Sequence, residues 1–154
     1  MAIVKFYRGD PDAPKTTMPA HLGANVLIVC ENKLLLEKRS DCEMWGLVGG
    51  GVKKQESPEQ AITREIYEEL GLRVSERQMK KLAVYGEPGR IAAYRDGSIW
   101  RMVVVAYLLE LQREPQMRIS RESRELRFFS ADELKKVPIV VTHSDIIDDW
   151  FIQK

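Results

Sequence analysis

The sequence predicts an α+β fold, a mixed α/β sandwich rather than a doubly wound parallel sheet, on three observations. Short β-branched apolar runs cluster around only a few helical segments, with no regular β-α-β alternation. One helix, between Ser57 and Gly71, carries both a start and a stop signal. Asp96-Gly97 divides two apolar runs, a strong short-range mark of a β-hairpin.

Taken in chain order, the first twenty residues hold Pro11, Pro14 and Pro19 and, after a short strand at 3–7, read as an irregular N-terminal arm (1–20). A single domain is expected over 21–154. Residues 24–30 and 34–38, divided by the turn Glu31-Asn32-Lys33, predict a hairpin. A short strand at 45–48 runs into Gly49-Gly50-Gly51, read as a loop because consecutive glycines lose much entropy in a regular element. Ser57 at the N-cap, Pro58 at the first helical position and Gln60 closing a capping box start the helix, and Gly71 stops it. Ile62, Ile66 and Leu70, four residues apart, supply its buried stripe. Further strands are expected at 81–85, 90–94, 99–111 and 125–129, with a turn at 86–89. Ser130-Ala131-Asp132-Glu133 opens a short capped helix that ends before Pro138, and 142–151 predicts another.

Composition narrows the function. With 154 residues, 44% of them hydrophobic, the chain can fill one core. Its 24 basic and 23 acidic residues leave a net charge of +1, which argues against general nucleic-acid binding or a charge-driven membrane role. The longest apolar run, Met102 to Leu109, is far shorter than the roughly 20 residues that span a bilayer. MAIVKFYRGD carries too early a charge for a secretory leader, so a cytoplasmic location is expected. Cys30 and Cys42 belong to no Cys-x-x-Cys pair, and His21 and His143 have no partner at metal or triad spacing.

At about 100° per residue, Glu65, Glu68 and Glu69 fall within an arc of about 100° on the helix, beside the apolar stripe. Like charges at these spacings repel, and a divalent cation would remove that cost. Carboxylate oxygens select hard cations, Mg2+ or Mn2+ before zinc. Taken alone, an E-x-x-E-E run is more often a solvated acidic face.

The register around these residues changes that balance. Gly50, five residues, Glu56, seven residues, Arg64-Glu65-Ile66, one residue, Glu68-Glu69, one residue and Gly71-Leu72 follow in unbroken order. This resembles the signature of the Nudix hydrolase family, and a looser likeness extends through Arg39 and Trp45-Gly46 to Phe128-Phe129-Ser130. The resemblance implies an αβα sandwich with a mixed sheet. It implies Mg2+-dependent hydrolysis of a phosphoanhydride in a nucleoside diphosphate linked to another moiety, such as a nucleoside triphosphate, ADP-ribose or a nucleotide sugar. On this reading Glu68 and Glu69 are the main metal ligands, Glu65 is a ligand or the general base, and the Gly49 carbonyl is a further ligand. Arg64 orients the carboxylates with Glu56 as partner, and Gly50, Glu56 and Gly71 shape the motif. A later Glu, either Glu122 or the preferred Glu125, is a further ligand or base. The departure is Val48, where the family commonly has Pro.

Residues outside the signature bear on the substrate. Pro88, 16 positions after Leu72, resembles the spacing of ADP-ribose pyrophosphatases, although Gly86-Glu87-Pro88-Gly89 also reads as a plain turn. Arg39, Trp45, Tyr85, Tyr94 and Trp100 are candidates to stack on a base, with core packing or surface exposure the commoner role of each. The expected partner is a small-molecule nucleotide, and the resemblance points to a homodimer. The alternative is a non-catalytic Nudix-fold module that senses a nucleotide. Such a module is expected to have lost ligand carboxylates, and this chain keeps all of them.

Overall fold

A computed structural model describes residues 3–119 and 123–152. Its centre is a parallel pair formed by β2 (His21–Cys30) and β8 (Ile99–Leu111), in register from His21 opposite Met102 to Cys30 opposite Leu111. The other edge of β8 takes two antiparallel neighbours, β7 (Arg90–Tyr94) near its start and β6 (Met79–Tyr85) further along. The other edge of β2 is likewise shared, by β5 (Val48–Gly51) and then β3 (Lys33–Arg39). β3 carries β4 (Trp45–Gly46) and β9 (Ser123–Phe129), both antiparallel.

The sheet separates two apolar layers, because successive side chains of a strand point to opposite faces. From β2, Val26 and Ile28 turn toward α1 (Pro58–Leu70), where Ile62, Ile66 and Leu70 are buried. Leu27 turns the other way, toward Leu134 of α2 (Ala131–Leu134) and Ile146 and Ile147 of α3 (Val141–Ile147). Burying each such side chain stabilises the fold by about 1.5–3 kcal/mol, and the two layers make the mixed αβα sandwich expected from the sequence.

α1 is bounded as its caps dictate. Ser57 Oγ accepts from the Gln60 amide at 3.1 Å, Gln60 Oε1 accepts from the Ser57 amide at 2.9 Å, and Gly71 ends the helix in the left-handed region at φ 76°. Tyr107 of β8 ties the first turn to the sheet, its buried hydroxyl donating to Glu59.

Three expectations shift. The short strand expected at 3–7 is present as β1 (Val4–Arg8), but it is not set apart from the domain: it pairs antiparallel with β7 and buries Val4, so the sheet begins before His21. Gly49, Gly50 and Gly51 are not a loop but part of β5, opposite Asn25, Ala24 and Gly23. Close approach explains the glycines, since a Cβ on Gly49 would stand 2.1 Å from the Ala24 carbonyl oxygen. The last helix is shorter than expected, α3 giving way at Asp148 to a π turn through Ile152, where the Trp150 indole donates to Tyr85 Oη at 2.9 Å.

Candidate functional site

The glycine strand β5 and the helix α1 pack together along one side of a cleft of about 450 Å³. Gly49, Gly50, Gly51, Glu65 and Glu69 line it on that side, and Gly23 and Asn25 of β2 line its floor. The C-terminal end of β3 contributes Glu37 and Arg39, followed by Ser40 and Asp41. Phe6 of β1, Tyr94 of β7, and Thr142 and His143 of α3 complete the lining.

Glu65 and Glu69, one helical turn apart, are 9% and 3% exposed, far below the usual exposure of a carboxylate. Arg64 organises this side. Its NH1 donates to Glu65 Oε1 at 2.7 Å and Glu68 Oε1 at 2.9 Å, its Nε and NH2 fork onto Glu56 at 2.7 and 2.9 Å, and NH2 also reaches the Gly51 carbonyl at 3.0 Å. The Arg64 bonds, with the Lys53 amide, push the Glu56 carboxyl down to about 2, and the same bonds hold the guanidinium charged well beyond its ordinary range. Gly50 is shaped by Glu65, since a Cβ there would stand 2.6 Å from Glu65 Oε1.

Across the cleft Arg39 forks onto Asp41 at 2.6 and 2.9 Å; burial raises the Asp41 carboxyl, but these bonds outweigh it and hold the group low. Ser123 Oγ donates to Glu37 Oε2 at 2.6 Å. The Leu47 amide donates to His143 Nδ1 at 3.0 Å, and burial pushes the imidazole down to about 3.

Of the residues singled out from sequence, Glu65, Glu69, Gly49, Gly50 and Arg39 meet in the cleft, and Glu56 and Arg64 brace them from outside its lining. Glu68 is not among the lining residues: Arg64 holds it at the rim, its side chain half exposed. Among the described residues no three His, Cys, Asp or Glu side chains are gathered as a metal-binding cluster. Glu125 is not brought to the cleft, because strand alternation puts it on the same face as Arg127 and Phe129, where it is exposed and bonded to Arg127. Glu122 lies outside the described residues. Trp45 is not available to a substrate, being buried edge-on against Phe129 under the Arg127 guanidinium. Pro88 is an exposed turn residue away from the cleft. Of the stacking candidates only Arg39 and Tyr94 line it.

Sequence reasoning missed Glu37, Phe6 and His143. Glu37 carried a signal, a carboxylate at the same strand parity as the buried Leu35 within Leu-Leu-Leu-Glu. Phe6 and His143 reach the cleft through long-range packing that no local spacing encodes.

The donor set fits a hard cation. Two buried carboxylates one turn apart repel each other, and the β5 glycines beside them bring backbone carbonyl oxygens to the same side of the cleft. Divalent ions with oxygen ligands match that chemistry.

Comparison with known proteins agrees with this geometry. An RNA pyrophosphohydrolase from Psychromonas ingrahamii is 45% identical over 49 residues, which is 30% of this chain and 27% of that protein. The match therefore spans about a quarter of that curated relative's length. An ADP-ribose pyrophosphatase from Methanocaldococcus jannaschii is 29% identical over 127 residues, 80% of this chain and 69% of the relative. Among solved structures, a MutT NUDIX hydrolase from Burkholderia pseudomallei superposes with a TM-score of 0.69 at 27% identity, covering 86% of this chain and 98% of the other. The NUDIX domain family model matches residues 19–150, which takes in the glycine strand, the carboxylate helix and both faces of the sheet; the chain belongs to the NUDIX domain family.

Proposed function

We propose that the chain is a pyrophosphohydrolase that cleaves a phosphoanhydride bond in a nucleoside diphosphate linked to another moiety, with Mg2+, or Mn2+ in its place. The observation that carries this reading is the pair of buried carboxylates, Glu65 and Glu69, lining the cleft beside a strand of glycines. Those two side chains and the Gly49 carbonyl would hold the cation. Glu68 joins them from the rim only by exchanging its bond to Arg64. When bound, the cation neutralises the pyrophosphate and lowers the pKa of the attacking water.

The chain's own residues do the rest. Arg64 fixes the Glu65 rotamer and is itself braced by Glu56 and the Gly51 carbonyl, so the carboxylate is preorganised before substrate arrives. A glycine strand leaves its backbone open to close approach by a phosphate. Glu65, beside the cation as ligand or as general base, would accept the proton of the attacking water. On this reading residues 21–154, together with β1, act as one domain on a small-molecule nucleotide in the cytoplasm, and the homodimer implied by resemblance is read by light scattering.

The test is Mg2+-dependent release of phosphate or pyrophosphate across nucleoside triphosphates, ADP-ribose, nucleotide sugars and dinucleoside polyphosphates. Glu69→Gln is the control, expected to keep the fold and lose turnover by orders of magnitude. A folded Glu69→Gln with parental rate overturns the assignment, and nucleotide binding without turnover on any compound favours the sensing module.

A further inference from the structure

The part of the cleft remote from the glycine strand is lined by β1, a strand that precedes residues 19–150, the span carrying the family match. β1 pairs with β7 along its whole length, from Val4 opposite Tyr94 to Arg8 opposite Arg90. Its start also reaches the segment that follows β3. The Arg95 amide donates to the Ile3 carbonyl at 2.8 Å, and the Ile3 amide donates to the Asp41 carbonyl at 2.7 Å. The strands β5, β2, β8, β7 and β1, neighbours in that order, are thereby brought round to the end of β3. With neighbouring strands about 4.8 Å apart, several spacings separate β1 from the glycines of β5 along the sheet. The cleft takes lining residues from both ends of that row.

Three side chains meet there. The Arg39 guanidinium lies over the Phe6 ring, 5.2 Å from its centroid. Phe6 stands opposite Ala92 and Val4 opposite Tyr94, which makes Phe6 and Tyr94 diagonal neighbours on one face of the β1–β7 ribbon. Burial pushes the Tyr94 phenol up, and Arg39 and Asp41 are among its charged neighbours. Phe6, Arg39 and Tyr94 all line the cleft and are all partly exposed, so each keeps surface open to a ligand. What they offer is flat surface rather than charge. The fork of Arg39 onto Asp41, at 2.6 and 2.9 Å, matches the guanidinium with its own carboxylate and holds its plane in place. A matched guanidinium has little net charge for a phosphate, but its plane and an aromatic ring are surfaces on which a base stacks.

We propose that β1 supplies the base site of this cleft, with the Phe6 ring, the Arg39 plane and Tyr94 forming a platform on which the base of the nucleotide stacks. The inference rests on the reading of the cleft as a nucleotide site and deepens it. Several strand spacings between β5 and β1 leave room for a ribose between a pyrophosphate held beside Glu65 and Glu69 and a base held on β1. Phe6 is then a specificity residue, since it discriminates a nucleotide from a phosphoanhydride that carries no base. Its contribution is separable from the chemistry, because none of the carboxylates of α1 belongs to this group. The N-terminal strand is on this reading a working part of the site, and its pairing with β7 sets where the platform stands.

The test is calorimetric titration of the full chain in Mg2+ with ADP, GDP, CDP, UDP and inorganic pyrophosphate, which reads binding and needs no turnover. The parent is expected to bind the tightest of the four nucleotides at least about tenfold more tightly than pyrophosphate. Phe6→Ala is expected to weaken that nucleotide about tenfold and to leave pyrophosphate within about twofold of the parent, a split that a merely structural role would not produce. Phe6→Trp, which keeps an aromatic face, should stay within about threefold of the parent for both. Should Phe6→Ala not fold, Phe6→Leu keeps the apolar bulk without the ring and should still weaken the nucleotide at least about threefold. Equal binding of nucleotide and pyrophosphate by the parent overturns the inference, as does equal weakening of both in Phe6→Ala. So does parental nucleotide affinity in a folded Phe6→Ala or Phe6→Leu. Nucleotide binding that depends on Phe6 without hydrolysis would sink the catalytic reading and leave the base site, whereas hydrolysis with no effect of Phe6 on affinity would sink the base site alone.

Discussion

Gly50→Ala isolates the contact between the glycine strand and the carboxylate helix. The added Cβ would stand 2.6 Å from Glu65 Oε1, 2.7 Å from its Cδ and 2.9 Å from Oε2, all inside the 3.0 Å that real Cβ atoms respect. Ordinary contact begins at 3.4 Å, so the carboxylate must retreat by about 0.8 Å. α1 cannot back away cheaply, because Ile62, Ile66 and Leu70 on its inner face are fully packed. The side chain gives instead, and its bond to Arg64 at 2.7 Å is drawn out of line. A misplacement of about 1 Å at a reacting centre costs up to about 100-fold, so kcat/KM on the preferred nucleotide is expected to fall about 10–100-fold. Overpacking of this kind costs about 1–2 kcal/mol, a drop in Tm of a few degrees for a chain of this size. Initial rates at saturating Mg2+ and a thermal melt read both. Glu65→Asp, one methylene shorter, should hurt less in the Gly50→Ala background than in the parent. Parental kcat/KM in Gly50→Ala, or simple additivity in the double variant, refutes the steric reasoning.

Three further outcomes are expected. The Glu56 carboxyl lies at about 2 in the folded chain against an ordinary 4.5, so its ion pair with Arg64 contributes stability above about pH 4.5 that is lost as pH falls toward 2. The Tm gap between the parent and Glu56→Gln should therefore close over that window, and a gap constant from pH 7 to about 2.5 contradicts it. His143, pushed from 6.5 to about 3 by burial, should show no imidazole protonation by NMR between about pH 5 and 8, and the unfolded chain's extra proton should lower stability as pH drops below 6.5. A ring that titrates near 6.5 in the folded protein contradicts the burial. Arg64→Ala leaves three carboxylates without their shared cation and should lower both turnover and stability, by about 1–3 kcal/mol after allowance for partial exposure. Parental Tm and parental rate together would show that the network carries neither.

What the sequence made legible was whatever its chemistry encodes over a few residues. Ser57, Pro58, Gln60 and Gly71 delimit α1 because caps act within one turn, and Asp96-Gly97 delimits the hairpin of β7 and β8 because two residues suffice to reverse a strand. The carboxylate arc was legible for the same reason, since helical spacing alone puts Glu65 and Glu69 together. Glu68 shows the limit. Its angle on the helix is right, but Arg64, one turn away, holds it at the rim, and that competition is settled by side-chain reach rather than by spacing. The glycines of β5 show another limit. Their entropy argues for a loop, yet β2 supplies a partner strand, and the crowding by Ala24 and Glu65 makes glycine the residue that fits. Trp45 resembled a binding residue in isolation and is core because Phe129 and Arg127 arrive from β9, about eighty positions away.

The two arginines that border the cleft divide its charge between them. Asp41 is matched by Arg39, and Glu56, Glu65 and Glu68 converge on Arg64, so two local networks each contain their own cation. The fork of a guanidinium explains why Arg serves both places. Arg64 donates at once to both Glu56 oxygens, to Glu65, to Glu68 and to the Gly51 carbonyl, five acceptors in three directions. The ammonium of Lys has three donors at one point on a flexible stem and cannot span that set. Glu56, Glu65 and Glu68 thus converge on one guanidinium, which fixes their side chains beside the glycine strand. On the proposed reading, a cation that neutralises a pyrophosphate would sit against carboxylates whose positions this sharing fixes.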